Sequence, residues 1–105
     1  MLPQFRFQCS ALYYATAARE EFLKGGTQNN FNILVARYGL TEIPSVPQSV
    51  IDNVTAQYLG RNRLLTPHTL NDIQIVAAAM AVGATLLTRE HAILSLFPPP
   101  TSESW

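Results

Sequence analysis

Cysteine, histidine and charge are all scarce in this chain of 105 residues. Cys9 is the single cysteine, which excludes an internal disulfide and a cysteine-built zinc site. At the end of an apolar stretch, a lone thiol reads as a small core residue. His68 and His91 are too few to replace it as metal ligands on their own. Charged residues make up 13% of the chain, about half the share usual in soluble proteins. The 48% hydrophobic content is ordinary, so disorder is excluded and association with another segment or chain is expected. Seven basic residues balance seven acidic ones, and no net positive field marks a binder of nucleic acid by bulk charge. Phosphate is still reachable through bound metal ions and a few local cations, here Arg61, Arg63 and Arg89. The longest apolar run, residues 75–83, falls short of the roughly 20 residues that a bilayer span needs. Met1 to Arg6 lacks the basic and apolar segments of a secretory signal, so the expectation is a cytoplasmic protein with no membrane partner. Neither a nucleotide-binding glycine loop nor a Ser/His/Asp or Cys/His catalytic set is present.

What is there alternates between strand and helix patterns, and the length suits one domain with one modest core. Phe5, Phe7 and Cys9 alternate with Gln4, Arg6 and Gln8, which predicts a half-buried strand over residues 4–10. Ser10 then caps a predicted helix, residues 11–24, that stops at Gly25-Gly26. Thr27 opens a second helix, in which Phe31, Leu34, Val35 and Tyr38 recur at helical spacing until Gly39 ends it. Residues 40–46 read as a short extended piece, and Pro47 stands in the first turn of a third helix. The expected buried stripe of that helix is Val50, Ile51, Val54 and Leu59. A polar loop over residues 60–68 leads to a fourth helix, residues 70–82, apolar almost all round and therefore expected inside. Gly83 ends it before a short β-type run, residues 84–88, and a last helical stretch from Arg89 to Leu94. The proline-rich tail, residues 98–105, is expected to be flexible. This order predicts an α/β fold, a small parallel sheet flanked by helices, with ligands beyond the carboxyl ends of the strands near Ser10, Thr88 and Glu90.

With only seven acids, each is open to inspection. Metal-dependent phosphodiester hydrolysis needs carboxylates from separate elements converging on Mg²⁺ or Mn²⁺, because hard cations prefer oxygen ligands. Asp72 is the only charged residue of the apolar fourth helix, and as the acid three residues after Thr69 it also fits a capping box. Spacing alone favours the cap. Glu90 follows Leu87-Thr88 where the last helix starts, and a first-turn acid also complements a helix dipole. Glu20 lies four residues before Lys24, the favourable orientation for a surface ion pair. Glu21 points about 100° away from it and has less obvious surface work. His91 reads as a surface residue, and His68 as a loop residue beside Arg61 and Arg63 that is exposed or faces RNA.

The stretch from Leu70 to Leu94 resembles the C-terminal half of a PIN domain: Asp72 opening an Ala-rich helix, Gly83, a short apolar strand ending in Thr88, and Glu90 two residues on. Glu21-Phe22-Leu23-Lys24-Gly25 is similar to that family's central Glu, followed by apolar residues and a Gly. Residues 14–26 are also similar to PIN-type modules at the C-terminal ends of large polymorphic toxins. The resemblance implies a PIN-like three-layer sandwich over residues 1–97 and a Mg²⁺- or Mn²⁺-dependent endoribonuclease, toxin-like and dimeric, with an antitoxin or immunity protein as partner. It further implies that Glu21, Asp72 and Glu90 bind metal and orient water and that Thr88 holds water or phosphate, while Ser10 by its place at a strand end and Arg61, Arg63 and Arg89 by their charge are the residues expected to meet RNA.

Two departures stand against the family pattern. No Asp precedes Asp52, where the family has a first strand carrying an almost obligatory Asp, and Glu90 stands where Asp is usual. A sheet without its first strand has unpaired edges. The chain is then the C-terminal part of a longer protein, or a partner supplies the edge, or the site is degenerate and the domain is an interaction module that associates with another chain.

Overall fold

The computed structural model describes residues 11–104. The predicted strand over residues 4–10, Cys9 and the candidate Ser10 lie outside them. The described residues confirm an α/β chain, with five helices and four strands in two small parallel sheets. Where the sequence predicts one core, the chain divides into two compact units, Met1–Pro44 and Ser45–Trp105. The division falls between Pro44 and Pro47, where missing N–H groups stop both sheet and helix from continuing.

In the first unit, β1 (Leu12–Ala15) pairs in parallel with β2 (Leu40–Ile43), Leu12 opposite Leu40 and Ala15 opposite Ile43. β1 occupies residues predicted as the start of the first helix. Its Leu-Tyr-Tyr sequence has stronger β than α preference once a partner strand is in register, and the helix, α1 (Thr16–Gly25), begins only after it. The second helix, α2 (Gln28–Tyr38), keeps the predicted limits. The Thr27 hydroxyl accepts from the Asn30 N–H at 3.1 Å, and Gly39 closes the helix in the left-handed conformation, φ 63°, at no Cβ cost. Phe31 is the buried residue of α2, with the Tyr14 ring edge-on at 5.1 Å and the Phe22 ring at 5.4 Å.

The second unit is built on a helix pair, α3 (Gln48–Gly60) and α4 (Pro67–Ala81). Val54, Tyr58, Ile73, Val76, Ala77, Ile93 and Phe97 form its core, with Val50 and Ile51 packed at the margin. The buried stripe of α3 runs through Tyr58, not through Leu59 as predicted. Four residues after Val54 returns to the same face, whereas five does not, and Leu59 is half exposed. α4 buries Asp72, Ile73, Val76 and Ala77 to Ala79, in line with its apolar sequence. It starts at Pro67, three residues earlier than predicted: Thr66 is the N-cap, its hydroxyl accepting from the Thr69 N–H at 3.2 Å, and Pro67 takes the first helical position.

After α4, Gly83 (φ 68°) turns the chain towards β3 (Leu86–Leu87), which leads into α5 (His91–Leu96). The parallel partner of β3 is β4 (Ser102–Glu103), Leu86 opposite Ser102. Residues 98–104 were expected to be a flexible tail; they return to the domain instead. Ser102 is fully buried and donates to the Phe97 carbonyl, and Thr85 donates to the Pro100 carbonyl at 2.8 Å. Three prolines prevent a helix but not a strand two residues further on. Among the described residues no helix is long and apolar enough to cross a membrane.

Candidate functional site

The early start of α4 changes what Asp72 is. With Thr66 as the cap, Asp72 is the sixth helical residue, past the first turn where capping boxes and most of the helix-dipole effect operate. It is buried, 6% exposed, in a helix otherwise lined by Ile, Val and Ala. Burying a carboxylate is costly unless it is paired or binds a metal. The same start brings His68 onto the helix, at the i, i+4 spacing that places two side chains on one face. His68 Nε2 lies 3.5 Å from Asp72 Oδ2 and 3.7 Å from Glu90 Oε2.

Glu90 reaches the group from a second segment. It is the residue before α5, with extended backbone and no side-chain capping bond, so its carboxylate is not spent on the helix end. Thr88, 8% exposed, positions it: the Thr88 hydroxyl accepts from the Glu90 N–H at 3.0 Å. That bond makes Thr88 a residue that orients the Glu90 backbone.

His68, Asp72 and Glu90 offer three ligand atoms, all within 4.8 Å of one another. Around an ion with bonds of about 2.1 Å, neighbouring ligands stand about 3 Å apart and opposite ones about 4.2 Å. The observed separations need only small side-chain rotations to close on an ion. His68 and Glu90, 66% and 50% exposed, have room to make them, while Asp72 is held in place by burial. One imidazole and two carboxylates make a mixed donor set, since imidazole suits Zn²⁺ and Fe²⁺ and carboxylates suit Mg²⁺ and Mn²⁺.

Of the acids singled out by sequence, the group contains Asp72 and Glu90 and does not include Glu21. Glu21 is on α1, in the first unit, and makes the surface ion pair with Lys24 at 3.3 Å that the sequence assigned to Glu20. Arg61, Arg63 and Arg89 are exposed, and His91 is exposed on α5. His68 entered the sequence reading only as a loop residue. The signal that identifies it is Thr66-Pro67, a hydroxyl cap before a helix-starting proline, which puts His68 and Asp72 one turn apart.

Tyr58, buried in the α3–α4 core, has its phenol pushed up to about 12, first by burial and then by the charge of Asp72, with Glu90 adding to the effect and Arg63 opposing it. Arg63 is set there by the end of α3, where Asn62 takes a left-handed conformation (φ 56°). The Asn62 and Arg63 N–H groups donate to the Leu59 and Tyr58 carbonyls at 3.0 and 3.1 Å, a Schellman closure. Compared with known proteins, the chain matches no family model, no curated protein and no solved structure.

Proposed function

We propose that His68, Asp72 and Glu90 bind a divalent cation, Mg²⁺ or Mn²⁺, and that the protein is a metal-dependent endoribonuclease of PIN type, toxin-like in action. The observation that carries the reading is the buried carboxylate of Asp72, brought together with an imidazole and a second carboxylate from another segment. A bound divalent cation polarises a phosphoryl oxygen and makes water a better nucleophile at neutral pH. The chain's own residues do the rest. Asp72 fixes the position of the site through its burial, Thr88 orients the backbone from which Glu90 reaches in, and His68 supplies a nitrogen ligand. Arg61 and Arg63, exposed on the loop before α4, supply positive charge for the RNA backbone that the chain as a whole lacks.

The test is cleavage of a structured RNA with Mn²⁺, with and without chelator, by the wild-type chain and by Asp72→Asn and His68→Ala. Chelator-sensitive cleavage that both variants lose is expected. Full cleavage by Asp72→Asn would contradict the reading. A second reading, an interaction module without catalysis, draws on the exposure of Leu64, Leu65 and Leu70 at 79, 40 and 47% around the start of α4. It predicts a dimer or complex that forms through this patch, with no cleavage under any metal.

A further inference from the structure

Of the three candidate ligands, Glu90 alone stands outside a helix. It lies between β3 and α5 with its side chain half exposed, and no side-chain bond ties it to the helix that follows. A carboxylate on such a connection loses freedom when it closes on an ion, and affinity rises where the fold has removed that freedom beforehand. The residues that remove it lie further along the chain. The Thr88 N–H, two residues before Glu90, donates to the Glu103 carbonyl at 3.0 Å, and the Leu86 N–H donates to the Thr101 carbonyl at 2.9 Å. β4 thus holds the strand that delivers Glu90. On the other side, α5 follows Glu90 directly, its Leu94 N–H donating to the Glu90 carbonyl at 3.1 Å, and the helix ends at Phe97. The Phe97 carbonyl accepts from the Ser102 hydroxyl.

Ser102 therefore joins two tethers, one on each side of Glu90. Its hydroxyl holds the end of α5, while the carbonyls of its neighbours Thr101 and Glu103 hold β3. The residue is fully buried, and a buried hydroxyl is tolerated where it has a partner. Pro98, Pro99 and Pro100 complete the return with φ fixed, which lowers the entropy lost in holding it in place. Resting on the reading of His68, Asp72 and Glu90 as an ion site, we propose that Ser102 is a positioning residue for Glu90. It locks β4 against the end of α5, β4 fixes the Thr88 backbone, and the Thr88 hydroxyl fixes the Glu90 N–H at 3.0 Å. The proline-rich return is then a strap that prepares one ligand for the ion, in addition to covering the core.

Ser102→Ala removes the hydroxyl and leaves the strand its backbone bonds. Two readings are taken on the full-length wild type and variant at a temperature where both are fully folded: amide hydrogen exchange without divalent ions, and calorimetric titration with Mn²⁺. Exchange at the Thr88 and Glu90 amides is expected to speed up by more than at Val76 and Ala77 in the core of α4, and Mn²⁺ binding to weaken about tenfold. A merely structural role would speed all four amides alike and leave the affinity unchanged, because a chain that is folded throughout the titration binds equally well whatever its margin of stability. That outcome overturns the proposal. So does local loosening with unchanged affinity, and so does weaker binding with Thr88 and Glu90 as protected as before. Should Ser102→Ala fail to fold, Thr85→Val makes the same test from the surface, since it removes the bond from the Thr85 hydroxyl to the Pro100 carbonyl at 2.8 Å; the expected changes have the same direction and smaller size. Failure of the wild type to bind Mn²⁺ removes the ion site and the role of Ser102 with it. Wild-type binding to which the strap variants are indifferent removes the role of Ser102 alone.

Discussion

Glu21 on α1 and Asp72 on α4 are both acids within helices that a family pattern singles out, yet their surroundings are opposite. α1 buries no residue, and Glu21 stands 52% exposed, paired with a Lys24 that is itself 75% exposed. α4 buries six residues, Asp72 among them, with its side chain 9% exposed and the His68 imidazole 3.5 Å away. In the first case water solvates the charge at no cost, and the ion pair contributes little. In the second the fold keeps a charge out of water, which is stable only with partners. The contrast teaches that in a chain so poor in charge, it is the burial of an acid, more than its sequence neighbourhood, that sets it apart from a surface charge.

The comparison breaks most visibly at the packing around Asp72. Ile73→Ala, next to it and 1% exposed, is expected to cost about 2–5 kcal/mol in urea unfolding, the range for truncating a fully buried aliphatic side chain. A cost below about 1 kcal/mol would mean that α4 is not held as tightly as its burial implies. Next in size is the cap. Thr66→Ala should lose about 1 kcal/mol, with Thr69→Ala losing clearly less, since Thr66 receives the N–H bond at the start of α4. The reverse order would restore Thr69 and Asp72 as a capping box and return Asp72 to a structural role.

A further effect is confined to alkaline solution. The folded-state phenol of Tyr58 is raised to about 12 from an ordinary value of 10, so the folded chain binds more protons than the unfolded one between these values. Its contribution to stability is fully present below pH 10 and is lost as pH rises towards 12. Chemical unfolding at pH 9 and pH 11 should show that loss in the wild type, with Tyr58→Phe losing less over the same interval. The smallest effect belongs to α1: Glu21→Gln should change stability by no more than about 0.5 kcal/mol in urea unfolding, as an exposed ion pair does.

Local signals were legible where a cap and a stop both stand in the chain. α2 follows from Thr27 and Gly39 because each satisfies backbone groups of the helix end by itself. α4 carries two competing starts, Thr66-Pro67 and Thr69-Leu70-Asn71-Asp72, and the later one looks stronger because it ends in an acid. The three-residue difference leaves His68 in a loop and gives Asp72 a cap it does not make, so one of the three candidate ligands is lost to one helix boundary. β1 and β4 were not legible for a different reason. Both are short parallel strands whose pairing is with residues distant in sequence, and a Tyr-Tyr pair before Thr16 or a Ser-Glu pair after three prolines carries no local mark of it. Tyr58 shows the third kind of miss, a stripe followed by count instead of by angle, where the step of four from Val54 decides which side chain is inside.

The difference between the two acids is tested most directly by calorimetric titration with Mn²⁺ of the wild type, Asp72→Asn and Glu21→Gln. The expected result is binding by the wild type, retained in Glu21→Gln and weakened on the order of 100-fold or more in Asp72→Asn. Binding that survives in Asp72→Asn, or that is lost equally in Glu21→Gln, would contradict it.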